Sequence, residues 1–221
     1  MGAKIEGAGT RRITVEGVKE LHGAEHSVIP DRIEAGTFLV AAALAGTQVT
    51  LRRVCADHLK AVTNTLCDAG YRIDIQRETI TLYGNGTPRP VHIVTEPYPG
   101  FPTDMQAQMC ALLSRADGES TVTETVFPQR FMHVSELKRM GADIALEGAT
   151  ARINGVPHLS GAPVMASDLR ASAALVLAGL VAEATTEVNR VYHIDRGYES
   201  IDEKLAGLGA DIQRVKQGHL L

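Results

Sequence analysis

The chain has few cysteines, no long apolar run and no excess of positive charge, and each shortage removes a class of protein. Its cysteines are Cys55, Cys67 and Cys110, an odd number without CxxC spacing. That pattern excludes a disulfide framework, and no pair of histidines stands near enough to complete a zinc site. The three read as small buried hydrophobes in a reducing compartment, which predicts the cytoplasm. No apolar stretch approaches the roughly 18 residues of a membrane span, and nothing at the N-terminus resembles a signal peptide. With 22 Lys and Arg against 26 Asp and Glu, the net charge of −4 offers no basic field for nucleic acid. Any anion site must therefore be a local gathering of arginines. The eight histidines lack metal-ligand spacing, so no metal is expected. A Ser-His-Asp arrangement, a Walker loop and a dinucleotide fingerprint are missing too, since Gly84-Asn85-Gly86 lies between strands and not before a helix. What remains is an ordinary globular composition, 44% hydrophobic and 22% charged in 221 residues, long enough to bury a core without staples.

What is present is repetition. The stretch 165–211 sets an acid, Asp168, before an Ala-rich helical pattern, then a Thr/Val strand, a polar loop, a second helix and a Gly-Ala stop. The same order recurs from Asp31 and from Asp104. From these acids to Gly70, Gly141 and Gly209, which end the second helices, the distances are 39, 37 and 41 residues. Three βαβαββ-like units are predicted, about 29–86, 87–156 and 157–221. Helices are expected over 32–45, 56–69, 104–115, 133–140, 168–182 and 199–208. Strands are expected over 48–54, 71–75, 79–83, 91–95, 120–125, 143–147, 151–154, near Val164, and over 185–191 and 210–215. Since each unit brings its own sheet and helices, residues 29–221 should form one domain with helices packed together inside and sheets around them. Met1-Gly2-Ala3-Lys4-Ile5 matches Met140-Gly141-Ala142-Asp143-Ile144, where a second helix gives way to a strand. Residues 1–28 therefore read as tail strands of a preceding, mostly missing domain plus a linker. Their exposed edge is expected to self-associate or to be disordered.

Chemistry could sit at the helix starts. Asp31, Asp104 and Asp168 are each placed to cap a helix, a contribution of about 1 kcal/mol. Thr103 could cap in place of Asp104 and leave that carboxylate free to project. Arg32 and Arg170 fall in a first helical turn, where a cation opposes the helix macrodipole and calls for a compensating anion, either the adjacent opening acid or a bound phosphate or carboxylate. Arg130 and Arg196 occupy equivalent loop positions in the second and third units, and Gly197 beside Arg196 would let a backbone approach closely. Asp195 could equally pair with Arg196.

Four motifs carry a resemblance: Phe101-Pro102-Thr103-Asp104-Met105-Gln106-Ala107-Gln108, residues 124–133 (ETVFPQRFMH), residues 167–173 (SDLRASA) and residues 192–198 (YHIDRGY), with residues 30–37 (PDRIEAGT) in the same pattern. Together they closely resemble the UDP-N-acetylglucosamine enolpyruvyl transferases, or UDP-N-acetylglucosamine 1-carboxyvinyltransferases. The resemblance covers essentially the whole chain but only the C-terminal half of that family's. It implies an α/β (α+β) fold, the inside-out α/β barrel of the enolpyruvyl transferase type, with helices inside and sheets outside. It also implies transfer of the enolpyruvyl group of phosphoenolpyruvate to the 3′-hydroxyl of UDP-N-acetylglucosamine, the first committed step of peptidoglycan synthesis, without metal or organic cofactor.

By the same resemblance Asp104 is the catalytic carboxylate that contacts and deprotonates the sugar hydroxyl, and Val126 is a backbone contact to the UDP-sugar. Arg170 and Arg196 grip phosphoenolpyruvate, and Arg130 is a further cleft arginine. A helix N-terminus would make Asp104 a weaker base, so orienting the hydroxyl matters beside removing its proton. The family's Lys-Asn pair and proton-donating loop cysteine belong to the N-terminal half, and Cys55, Cys67 and Cys110 match neither. The expectation is a chain inactive alone, whose partner is the missing N-terminal half. Two alternatives stand beside it: a catalytically silent UDP-sugar-binding or assembly module, and the sister enzyme that acts on 3-phosphoshikimate.

Overall fold

A computed structural model describes residues 1–84 and 86–215. Lys4–Glu6 (β1) and Thr14–Glu16 (β2) pair antiparallel, with Ile5 opposite Val15, and every residue from Met1 to Asp31 is exposed. An ordered two-stranded ladder thus stands where disorder was one expectation.

In the first unit the Asp31 carboxylate accepts the amides of Ile33 and Glu34 and starts α1 (Arg32–Ala45), which Gly46 ends at φ 66, a left-handed stop that favours glycine. Gln48–Arg52 (β3) follows. The expected second helix begins as a 3-10 turn, Ala56–Leu59, and continues as α2 (Lys60–Asp68). Arg72–Gln76 (β4) and Thr79–Tyr83 (β5) close the unit through the two-residue turn Arg77-Glu78. The sheet order is β3-β5-β4, antiparallel throughout. The expected turn at 84–88 includes Asn85, which lies outside the described residues.

The second unit shows the full βαβαββ order. It comprises His92–Val94 (β6), α3 (Gln106–Leu113), Glu119–Thr123 (β7), α4 (Met132–Arg139), Asp143–Glu147 (β8) and Thr150–Asn154 (β9). Its sheet runs β6-β7-β9-β8, with β6 and β7 parallel and the other pairs antiparallel.

The third unit departs from the pattern. Leu159–Ser160 (β10) and Pro163–Met165 (β11) precede α5 (Leu169–Gly179). The expected strand 185–191 is replaced by Ala182–Glu183 (β12) and Glu187–Asn189 (β13), with Ala184 between them at φ 68. A left-handed alanine breaks the pleat, so β12 joins β10 and β13 joins β11 in two separate parallel pairs. After α6 (Ile201–Gly207), the strand expected at 210–215 is not formed. Arg214 is instead tied by its side chain to Asp195 and Asp202.

The first helices α1, α3 and α5 pack on one another at the centre. All eight residues of α3 and the run 171–178 of α5 are buried, which is why their apolar pattern goes all round the helix. Small side chains let the helices close up: a Cβ on Gly36 of α1 would come within 2.9 Å of the Met105 sulfur. α2, α4 and α6 bury one face each. Helices inside and sheets outside match the expected arrangement, although among the described residues the strands fall into five separate sheets, the exposed β1-β2 pair included. The cysteines correct the reading of three buried hydrophobes, because Cys110 alone is buried, Cys55 is half-buried and Cys67 is exposed. Among the described residues no helix is long and apolar enough to cross a membrane.

Candidate functional site

Asp104 lies in a 3-10 turn, Thr103–Met105, that leads into α3. Asp31 and Asp168 cap their helices as expected, but Asp104 does not: the caps here are Pro102 and Met105, and neither bonds through a side chain. Nor does Thr103 cap, since its hydroxyl donates to Glu124. The Asp104 carboxylate is free to project, and two arginines take one oxygen each. Arg130 Nη1 donates to Oδ1 at 2.7 Å and Arg170 Nη2 to Oδ2 at 3.3 Å.

The compensating anion called for by Arg170 is therefore neither its neighbour Asp168 nor necessarily a ligand. Asp168 accepts the Arg170 backbone amide, while the guanidinium crosses to the second unit. Within its own unit it also donates to the Tyr198 hydroxyl at 3.4 Å. Tyr198 is 2% exposed, and its hydroxyl lies 2.8 Å from Thr37 Oγ1 of α1. Thr37 donates its one proton to the carbonyl of Ile33, so Tyr198 must be the donor of the pair. The polar chain Arg170, Tyr198, Thr37 thus has one direction and runs from the third unit into the first. Gln108 Nε2 joins it at Thr37, 3.1 Å away.

Burial of Asp104 works to raise its pKa, but the charge of Arg170 and the hydrogen bonds from Arg130 and Arg170 outweigh it and hold the carboxyl below the usual aspartate value. The depression expected from a helix N-terminus is present with a different cause, the paired guanidiniums. The trio sets two cations around one carboxylate. It opens into a cleft of about 680 Å³ lined by Asp104, Phe127, Pro128, Gln129 and Arg130, with the Arg130 guanidinium 5.6 Å over the Phe127 ring. A carboxylate that can accept a hydroxyl proton, beside guanidiniums that can hold an anion, suits transfer between an alcohol and an anionic donor.

The other candidates stand apart from this trio. Val126 is half-buried in the loop that carries Arg130. Arg196 is exposed at the end of the 3-10 turn Val191–Arg196, and Asp195 pairs with Arg214 and not with Arg196. Gly197 packs inward, where a Cβ would meet a Leu169 methyl at 2.7 Å, so its smallness serves the fold. Arg32 rests 5.5 Å over the Tyr98 ring. Sequence reasoning gave no site role to Glu124, Tyr198 and Thr37, and took Thr103 only as a possible cap. Their deciding contacts join distant segments, Thr37 with Tyr198 and Glu124 with Thr95 and Thr103, so no local signal marks them. Among the described residues no group of three or more His, Cys, Asp or Glu side chains could hold a metal ion.

The family profile described as EPSP synthase (3-phosphoshikimate 1-carboxyvinyltransferase) matches residues 1–205. The chain belongs to this family. Within it, the chain is 62% identical over 217 residues to the UDP-N-acetylglucosamine 1-carboxyvinyltransferase of Akkermansia muciniphila, covering 97% of this chain and 51% of that protein. To the enzyme of the same name from Halorhodospira halophila it is 60% identical over 215 residues, again 97% and 51%. The chain therefore spans about half the length of the curated relatives it matches. Among solved structures it is similar to the enolpyruvyl transferase NikO from Streptomyces tendae, with a TM-score of 0.85 and 31% identity over 96% of this chain and 51% of that one. EPSP synthase from Acinetobacter baumannii shares the fold at a TM-score of 0.59 and 19% identity, covering 74% of this chain and 40% of that one.

Proposed function

We propose that this chain forms part of an enolpyruvyl transferase cleft, in which the 3′-hydroxyl of UDP-N-acetylglucosamine meets phosphoenolpyruvate. What carries the reading is the grip of Arg130 and Arg170 on Asp104, a carboxylate that faces one open cleft together with Arg130. The relatives at 60% and 62% identity favour the UDP-sugar over 3-phosphoshikimate as acceptor. Asp104 orients the sugar hydroxyl and accepts its proton as oxygen attacks the enol carbon, whose methylene is protonated. Phosphate then leaves and a proton is lost from that methyl group, which restores the enol double bond. Arg170 holds the phosphate and carboxylate of phosphoenolpyruvate, and the resemblance assigns Arg196 to the same grip. An arriving anion competes with Asp104 for the Arg170 guanidinium, which relieves the depression of the carboxyl pKa and makes Asp104 a better base when both substrates are present. Val126 offers backbone polar groups to the UDP-sugar.

The other half of the relatives' length supplies the rest of the enclosure and the proton for the methylene carbon, so this chain by itself binds and does not turn over. Calorimetric titration of the chain with UDP-N-acetylglucosamine tests the assignment. Binding heat in the wild type that disappears in Asp104→Ala supports it, and binding unchanged by that substitution contradicts it.

A further inference from the structure

One carboxylate in the second unit is buried more completely than any group in the cleft and has no role in the chemistry above. Glu124, just beyond β7, is 1% exposed. None of the ion pairs among the described residues involves it. A carboxylate placed so deeply without a cation in contact is costly unless hydrogen bonds satisfy it. Three do. Thr95 Oγ1 at the end of β6 donates to Oε2 at 3.0 Å, the Phe127 amide donates to the same oxygen at 3.0 Å, and Thr103 Oγ1 donates to Oε1 at 2.7 Å.

These donors belong to two walls of the cleft. Phe127 begins the run 127–130 that lines one side, and Thr103 adjoins Asp104 on the other. The Thr103 contact is directional. A threonine hydroxyl has one proton, and giving it to Glu124 leaves the Thr103 lone pairs facing Arg130 Nη1, which donates to them at 3.3 Å. The same Arg130 nitrogen donates to Asp104. From its buried position Glu124 thus fixes where the loop turns at Phe127 and where the Arg130 guanidinium rests.

We infer that Glu124 is a positioning residue that ties the two walls of the cleft together and sets the Arg130–Asp104 geometry. The inference deepens the functional reading and rests on it for the identity of the ligand, though not for the tie itself. Glutamine has nearly the shape of glutamate but cannot replace it. Both carboxylate oxygens receive protons, and an amide nitrogen at either place would meet a donor head-on.

Glu124→Gln is the test, read first by hydrogen exchange without ligand. The Phe127 amide should exchange about tenfold faster, as expected when one hydrogen bond is lost, while the Val122 amide in β7 keeps its protection. UDP-N-acetylglucosamine affinity should fall about tenfold in the same variant. Ile153→Val in β9 of the same sheet is the control for lost stability, since it weakens the core and should change neither reading. If Glu124→Gln does not fold, Glu124→Asp decides, because the shorter side chain keeps the charge but cannot reach both walls and should also speed Phe127 exchange. Wild-type protection at Phe127 in whichever variant folds overturns the inference. A wild-type chain that binds no UDP-N-acetylglucosamine overturns the ligand assignment instead, and Phe127 exchange then decides the positioning role alone.

Discussion

Arg170 and Asp104 stand 66 residues apart in sequence, yet the guanidinium of one donates to the carboxylate of the other at 3.3 Å, joining the third unit to the second. The contact makes Asp104 the hub of the cleft. Asp104→Asn keeps the shape and removes the charge, leaving an amide oxygen that can accept from only one of Arg130 and Arg170. A loss of about a hundredfold or more in the rate of a cleft completed by its other half is expected, the usual worth of a positioned base, and steady-state phosphate release measures it.

Tyr198 tests the polar chain behind the arginine. Tyr198→Phe deletes the hydroxyl that Arg170 donates to and that donates to Thr37, and should cost about 1 kcal/mol of stability, read as a lower urea midpoint at unchanged slope. Thr37→Val should cost a similar amount. If the two act as one chain, the double variant loses less than the sum by roughly 0.5 kcal/mol or more, while strict additivity would show the contacts to be independent.

His133, 2% exposed in α4, makes stability depend on pH. Burial, with the nearby Arg130 charge, outweighs the attraction of Asp168 and pushes its pKa down to about 4 from 6.5. A depressed folded pKa means that the unfolded chain takes up the proton first. The contribution of neutral His133 is therefore complete above pH 6.5 and declines as pH falls from there to about 4, by on the order of 3 kcal/mol. Urea unfolding at pH 5 and pH 7 should show the wild type losing stability and His133→Leu losing clearly less. Equal slopes would contradict the assignment.

The β1–β2 ladder carries Ile5 and Val15 as an exposed cross-strand pair, at 52% and 64% exposure, with Ile13 and Met1 exposed nearby. An apolar two-stranded edge in water recruits another copy. Light scattering of the chain should give a mass that rises with concentration, and Ile5→Lys with Val15→Lys should return it to the monomer. A wild-type mass that stays monomeric at every concentration would contradict this.

Much of the architecture could be read locally, and the rest could not for physical reasons. α1 was legible to its last residue because both of its ends are marked by neighbours in sequence, the Asp31 cap and the Gly46 stop. The hairpins β4–β5 and β8–β9 were legible from alternation and tight turns. The break at Ala184 was not, since alanine carries no preference for a left-handed backbone, and the third sheet is split for that reason. Asp104 looked like Asp31 and Asp168 in sequence and differs only because the extended, proline-bound entry lets a 3-10 turn precede α3. Arg130 and Arg170 were singled out as candidates, but that they share Asp104 between them is a fact of tertiary packing. Glu124 was visible inside a quoted motif, yet nothing in the sequence says that a glutamate will be buried on three neutral donors.

The central claim is that Asp104, Arg130 and Arg170 serve enolpyruvyl transfer to a UDP-sugar. Its most direct test joins this chain to the N-terminal half of the Akkermansia muciniphila relative, 62% identical to it over the matched region, and follows phosphate release from phosphoenolpyruvate and UDP-N-acetylglucosamine. Turnover that needs both substrates and is abolished by Asp104→Asn is the predicted result. A joined protein that melts as one unit and binds UDP-N-acetylglucosamine but releases no phosphate, or one whose turnover survives Asp104→Asn, would contradict the account.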